Sequence, residues 1–490
     1  MLRWTGWQPR RLNGKPLMAS TSTAKKQGFF ITPNGTNVLF TFIIVSSLFL
    51  LWGFCNGLID VMDKHFQDEL GLTKSQSAWV QFAHYLGYFL MAVPAGWLSS
   101  KLGYKGGIIV GLLIVAAGGL WFMPATQISM MVHSGGVSST TGFVAFLAGV
   151  CLIATGLTFL ETVANPYTTV LGDPRYAASR INLAQSCNGI GWIFGPIVGS
   201  MYFYSTDAMG RSTGSQTLYI PYVAIAIGVI VLAVVFYFSN VPDIKTEDDY
   251  HLDDSAPGVS QSIWSHPHFV FAVAAQFFYV AAQAGIFSFF INYMTAEVPP
   301  IPTSWGAAMT NMSAHSGFLR DWLTGWFEMG RNGGLGITNK GASNLASLGF
   351  VCFLVGRFTG AGLLRRFSAH KILGLYGVLN VVATFLVFCK LGWLSVACVF
   401  LSYFFMSIMF PTIFALGIFG LGARAKKASA FIVMAIMGGA ILPKLMGHVA
   451  DMYDMSRGFI VPMFCFGFVA FYGYWWPRFS KAESLQDRRG

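Results

Sequence analysis

The sequence predicts an all-α polytopic membrane protein of twelve transmembrane helices, arranged as two six-helix halves. Three observations predict it. Of 490 residues, 54% are hydrophobic and only 10% are charged, with mean hydropathy +0.57. A soluble domain carries about 25% charged residues, so this chain has too little polar surface to solvate a globule, and the alternative solvent is lipid. Apolar runs of roughly 20 residues recur along it, the length a helix needs to cross the hydrocarbon. Motifs of the first half also return, in order, in the second.

Residues 1–36 are polar and basic with no apolar core, so they read as a cytoplasmic extension rather than a cleavable signal peptide. Met18, opening MASTSTAKK, is a candidate start. The first half, 37–240, holds apolar runs at 38–62, 77–100, 107–125, 142–166, 181–204 and 219–240. A polar linker, 241–267, follows, and its acidic run reads as a solvated cytoplasmic face. The second half, 268–476, holds runs at 268–293, 343–364, 370–390, 394–420, 428–450 and 458–476. Between its first two runs lies a long outer loop, 295–342, rich in Gly and Trp; an ordered decoration is expected there before a lid. Its Asn311 sequon matters only in a glycosylating host. Residues 477–490 form a cytoplasmic tail. Run length selects helices over barrel strands, and internal Gly and Pro suit close packing of membrane helices.

Lys and Arg set the orientation. With the N-terminus inside, the inner loops and termini hold 21 of 31 basic residues, the outer loops 8, and the membrane 2, Arg357 and Lys444. That bias, and an even helix count, place both termini on the cytoplasmic side. The net charge of +11 therefore reflects topology and not a nucleic-acid face. The repeat is seen in GWLSSKLGYKGG against GAGLLRRFSAHK, in Pro166 (PYTTVLG) against Pro411 (PTIFALG), and in Gly191 and Pro196 against Gly438 and Pro443. Paired halves of this kind mark alternating-access transporters, with the site between the halves.

An acid at mid-bilayer costs about 2.5–3.5 kcal/mol on insertion scales and so marks function. Two stand out. Asp60 closes the first run, in LWGFCNGLIDVMDKHF, and Glu161 lies in the fourth, in GLTFLETVANPY. Each can bind a proton on one side and release it on the other. Asp63, Lys64 and Asp68 are expected at the water interface. Asn56 lies one turn before Asp60, and Asn165 one turn after Glu161. Asn182, Gln185 and Asn188 share a face of the fifth helix. Gln276, Tyr279 and Gln283 share one of the seventh, and Gln81, Tyr85 and Tyr88 one of the second, with His84 beside them as a packing residue. Amides and phenols offer donors and acceptors while aromatic faces cover C–H patches, which suits a neutral polyhydroxylated ligand. Taken singly, each is equally well interhelical glue worth under about 1 kcal/mol. Arg357 is expected to snorkel or pair with helix carbonyls, and Lys444 to snorkel or to face Asp60 or Asp63.

Other chemistries find no support. The seven cysteines lie in apolar stretches without metal spacing and read as buried thiols, so no metal is expected. There is no GxxxxGK[ST] and no nucleophile–base constellation, so no ATPase, cofactor or enzyme activity is expected.

LETVANPYTTVLG, INLAQSCNGIG, AQFFYVAAQAGIFSFFINY, GRFTG with RRFSAHK, and MSIMFPTIFALG, in that order, resemble the fucose permease group of the major facilitator superfamily, the fucose–galactose–glucose:proton symporters. The resemblance spans nearly the whole membrane portion. It implies a monomeric bacterial inner-membrane importer of a neutral hexose or 6-deoxyhexose. Asp60 and Glu161 would serve in sugar recognition and proton coupling. Gln185 and Asn188 would contact sugar, as would the seventh-helix face. The rivals are a sodium-coupled hexose or N-acetylglucosamine importer, an exporter and a sugar sensor. Two departures bear on the choice of sugar: Gly57 where fucose-carrying members have a second asparagine, and Lys444 where they have proline.

Overall fold

The computed structural model describes residues 30–31, 37–133, 136–171, 177–205, 207, 209, 212–239, 241, 262–315, 322, 324–329, 334–364, 367–419, 421 and 425–480, with some side chains inside the helices left out. Most of the extension, the linker and the tail expected from the sequence lies outside these residues.

The first half comprises α1 (Leu39–Leu70), α2 (Lys74–Ser77), α3 (Trp79–His133), α4 (Ser139–Val170), α5 (Ala177–Tyr202), α6 (Gly214–Thr217) and α7 (Tyr219–Phe238). The second comprises α8 (Pro267–Ser288), α9 (Phe290–Ala296), α10 (Thr303–His315), α11 (Asn339–Leu364), α12 (Ala369–Phe388), α13 (Trp393–Met406), α14 (Met409–Gly417), α15 (Ala425–Met434), α16 (Gly438–Met452), α17 (Met455–Gly458) and α18 (Ile460–Ser480). Among the described residues, ten stretches are long and apolar enough to cross a membrane. The two further spans of the twelve, the first part of α3 and α5, carry polar residues such as Gln81, His84, Gln185 and Asn188 that lower their hydropathy. The twelve-helix, two-half architecture expected from the sequence is the one observed.

Local chemistry sets the boundaries. Ser138 caps α4 by accepting from the Thr141 N–H, and Thr73 with Gln76 forms a capping box on α2. α3 is two spans joined at Gly103, where φ of +72° turns the chain. α1 runs to Leu70, not to residue 62 as expected, and stops at Gly71 in the left-handed region. That extension moves Asp60 and Asp63 from the end of the helix into its body.

Within each half the first and fifth spans meet through glycine. A Cβ on Gly191 would stand 2.2 Å from the Leu50 carbonyl, and one on Gly438 2.0 Å from that of Phe277. The two positions paired by the sequence repeat thus make the same close approach, α5 on α1 and α16 on α8.

The 295–342 segment is ordered where described. β1 (Phe327–Met329) and β2 (Leu335–Ile337) pair antiparallel, a small departure from an all-α chain, and Ile301 bridges Leu335. Trp305 packs on Trp393 at 5.6 Å. This end of the bundle is called the hairpin end, and the opposite one, with Leu39 and Ser480, the terminal end. Cys389 is exposed at the hairpin end because it falls just past α12, against the expectation of buried thiols throughout.

Polar contacts between the halves gather at the hairpin end. The Asp451 carboxylate accepts from the Lys74 and Ser75 N–H groups at 3.0 and 2.8 Å, and the Lys74 ammonium lies 3.6 Å away. Gln67 and Asn292 exchange amide hydrogen bonds at 2.5 and 3.4 Å. Asn339 donates to Asp68 at 2.6 Å, Ser343 to the Pro196 carbonyl at 2.7 Å, and Ser200 to Asn344 at 2.8 Å.

Candidate functional site

Helix α1 presents Trp52, Asn56, Asp60 and Asp63 along one face at three- and four-residue spacing, the spacing that stacks side chains on a helix. Asp60 is buried and accepts at Oδ1 from the Gln81 amide of α3 at 3.3 Å, leaving Oδ2 without a partner. Asn56 donates to the Trp52 carbonyl at 3.0 Å, so its Nδ2 is turned along its own helix.

Glu161, on α4, is half-buried and lines a narrow cleft with Leu48, Phe49, Trp52, Leu160, Ala164 and Gln185. Among the described residues its carboxylate has no hydrogen-bond or cationic partner. Tyr85, half-buried on α3, lies within electrostatic reach of both Asp60 and Glu161 and presses its ring on Gly439 of the opposite half. The Trp52 indole N–H donates to the Tyr88 hydroxyl, which fixes the aromatic wall of the cleft. The structure therefore brings Asp60, Glu161, Gln81, Tyr85 and Gln185 around one region of the first half. An acid, amides and aromatic faces there can accept and donate to hydroxyls while covering apolar C–H patches.

Other expected residues are placed differently. Asn188 is buried and donates to the Phe49 carbonyl at 3.4 Å, a bond that ties α5 to α1. Tyr279 is fully buried, and its hydroxyl donates to the Met406 carbonyl at 3.0 Å where α13 ends. That bond holds the broken tenth span. Gln276 is fully buried with both amide atoms unpartnered, and Gln283 is half-buried. The side chains of Asn165 and Asn182 lie outside the described residues. His84 is buried in contact with the Tyr85 and Tyr88 rings, a packing role as expected. Lys444 sits over the Trp79 ring at 3.7 Å and Arg357 over the Phe353 ring at 4.9 Å, so both are held by aromatic faces.

Asp63 corrects an expectation. It is not at the water interface: its exposure is 0%, and neither carboxylate oxygen has a hydrogen-bond partner. Lys64 and Asp68, which suggested the interface, pair with each other at 2.6 Å on another face. Sequence reasoning also missed Tyr403 of α13, fully buried with an unpartnered hydroxyl, stacked on Phe287 at 4.5 Å and within electrostatic reach of Asp60. Nothing in SYFFMSIMFP separates it from the lipid-facing aromatics around it. Asp63 did carry a signal, since it lies three residues from Asp60 on one helix face.

A family model described as Major Facilitator Superfamily matches residues 40–331. A protein of Brucella abortus biovar 1 (strain 9-941) named glucose/galactose transporter is 31% identical over 460 residues, 94% of this chain and 96% of that one. One of Escherichia coli (strain K12) named L-fucose-proton symporter is 33% identical over 448 residues, 87% of this chain and 91% of that one. Among solved structures, the crystal structure of a major facilitator superfamily transporter, FucP, in the outward conformation superposes with a TM-score of 0.61 at 32% identity, covering 89% of this chain and 99% of that one.

Proposed function

The chain belongs to the major facilitator superfamily, and on that premise we propose that it imports a neutral hexose or 6-deoxyhexose, of the fucose or glucose/galactose kind, by proton symport with alternating access. The fold and the relatives make it a multi-pass membrane transporter and not an enzyme. The relatives' names support a sugar as cargo and a proton as the driving ion. One observation carries the reading here: two acids on neighbouring helices of one half, Asp60 and Glu161, lie around an aromatic, amide-bearing cleft with no cationic partner among the described residues.

In this reading the sugar hydroxyls take up the hydrogen-bonding capacity of Gln81, Tyr85, Gln185 and Glu161, while Trp52 and Phe49 cover its C–H face. Protonation of the carboxylates, one proton to each, lets the loaded carrier cross its occluded state without unpaired charge. The contacts at the hairpin end support a conformation closed there. With the termini cytoplasmic, as the basic-residue bias suggests, the hairpin end is the outer one and the conformation is closed to the outside. We further propose that the protein acts as a monomer in a bacterial inner membrane. The potential adds about 2.3 kcal/mol per charge per 100 mV to the pH gradient.

The test is uptake of labelled fucose, glucose, galactose and N-acetylglucosamine into proteoliposomes, with and without an inward pH gradient, for wild type and Glu161→Gln. Gradient-driven accumulation of one sugar, lost in the variant, is expected. Accumulation indifferent to pH but dependent on sodium would replace the proton with sodium. Accumulation of none of these sugars would remove the cargo assignment.

A further inference from the structure

We propose that Asp63 is a proton-loading site of the transport cycle, sealed in this conformation by the opposite half and feeding Asp60 one turn deeper. The inference rests on the proton-coupled reading above and adds to it a residue outside the sugar cleft.

The geometry begins with burial. Asp63 is fully buried, and both its carboxylate oxygens lack hydrogen-bond partners. Beside it lies Ser288, the last residue of α8 in the opposite half, itself fully buried with an unpartnered hydroxyl. Two buried polar side chains from opposite halves thus lie beside each other without reaching full hydrogen-bond geometry. Such groups are rare in a static core, because each leaves the cost of its desolvation unmet. They are expected where the contact opens during function.

Among the described residues, the groups around Asp63 leave it no counter-charge. On its own helix Asp60 is the neighbour one turn away. Gln81 of α3 lies beside both acids and gives its amide to Asp60. Tyr204, following α5, gives its hydroxyl to the Val61 carbonyl at 2.6 Å. His65 points to the Phe203 carbonyl at 2.9 Å. The cations of these elements at this end are engaged elsewhere: Lys64 with Asp68, Lys74 with Asp451, and Lys444 over Trp79. Among the described residues no cation faces Asp63, so an ionised carboxylate here would have only the uncharged Gln81 and Ser288 beside it, whereas a protonated one carries no charge.

Position gives the direction. Asp63 lies seven residues before the end of α1, so about 10 Å below the hairpin end, and Asp60 lies about 4.5 Å deeper along the axis. Just above Asp63 are the Gln67–Asn292 and Lys74–Asp451 contacts that close this end. When they part, Ser288 withdraws with its half and Asp63 meets water. A proton from that solution bonds to a carboxylate oxygen of Asp63. Before the contact closes, that O–H bond breaks as the proton passes to the free Oδ2 of Asp60, and a second proton from the same solution bonds to Asp63, so that neither acid is charged when the contact seals. No other co-reactant is needed.

The experiment uses the full chain in proteoliposomes with the sugar that the wild type accumulates. Asp63→Asn is expected to cut pH-gradient-driven accumulation at least about tenfold while sugar counterflow at equal pH stays within about twofold, and Asp63→Glu to restore much of the accumulation. Wild-type accumulation by Asp63→Asn would overturn the proposal. So would equal loss of counterflow in Asp63→Asn and Asp63→Glu, which is the mark of a structural residue. Failure of the wild type itself to accumulate sugar would instead strike the transport reading. Infrared difference spectra of the wild type and Asp63→Asn against pH then decide: a carboxyl C=O band assigned to Asp63 must titrate, and a band that does not move overturns the loading site.

Discussion

The two halves share a backbone plan and divide the chemistry. Both pack their first and fifth spans through a glycine laid on a carbonyl, at Gly191 and at Gly438. Yet the acids inside the bundle, Asp60, Asp63 and Glu161, all belong to the first half. The second half keeps its described acids, Glu297, Glu328, Asp451 and Asp454, at the hairpin end, and sets Gln276, Tyr403 and Ser288 in its interior instead. The repeated glycines give both halves the same close backbone approach, while the described acids of the interior lie in one half. Among the described residues the buried acids thus lie in the first half, while the second half brings Arg357 and Lys444, each set over an aromatic ring, and uncharged polar groups.

The sharpest break of that contrast is to neutralise an acid on one side and truncate an amide on the other. Asp60→Asn should abolish gradient-driven accumulation, whereas Gln276→Ala should keep it coupled and weaken sugar affinity by about threefold to tenfold, the value of one uncharged hydrogen bond. Uptake at two pH gradients and equilibrium sugar binding measure both, and a Gln276→Ala protein that is uncoupled would end the division of labour.

Gly191→Ala and Gly438→Ala each drive a methyl group into a carbonyl, at 2.2 and 2.0 Å, and should each cost about 1–3 kcal/mol of stability. Thermal unfolding in detergent should show similar losses for the two. A loss confined to one would mean that the halves are not mechanically equivalent.

Asp451→Asn weakens the carboxylate that takes the Lys74 and Ser75 N–H groups and should cost about 1 kcal/mol, about fivefold in favour of the open state. A cysteine replacing Ser343 reports opening by its labelling rate. Cys389 must first become serine, because it is exposed at the same end. An unchanged rate would leave Asp451 outside the gate.

The smallest effect lies in the second half's surface pairs. Lys390 bonds Asp454 at 2.9 Å and Glu297 at 3.3 Å. Partial burial pushes the Asp454 carboxyl up, but the Lys390 hydrogen bond, the Arg457 N–H and the two cationic charges outweigh it and hold the carboxyl below its usual range. The hydrogen bond to Asp454 pushes Lys390 up, against its slight burial, with Glu297 helping. A lowered acid stabilises above its unfolded value and loses that as pH falls through the lowered one. A raised lysine stabilises below its unfolded value and loses that as pH rises through the raised one. The melting difference between wild type and Asp454→Asn should therefore be flat across neutral pH and shrink at both extremes. Its size should stay under about 1 kcal/mol, since Lys390 is largely exposed. A difference that changed between pH 6 and 8 would point to another group.

Much of this was legible in the chain. Twelve spans, two halves and the glycine pairs follow from hydropathy and repetition, which act along one dimension: lipid demands long apolar runs wherever a helix crosses it. Asp60 and Glu161 were legible for the same reason, because a charge within such a run has no cheap explanation. Asp63 escaped because Lys64 and Asp68 beside it suggested a helix end, while α1 in fact continues to Leu70. Tyr279 and Asn188 looked like cavity residues by spacing, yet the carbonyls of Met406 and Phe49 take their donors. Helical periodicity says which residues share a face and nothing about what that face meets. Solvent preference along the chain decided the fold, whereas the third dimension alone decided which buried polar groups are spent on backbone and which, like Asp63 and Ser288, are left outside hydrogen-bond geometry between the halves, because only packing brings the partner.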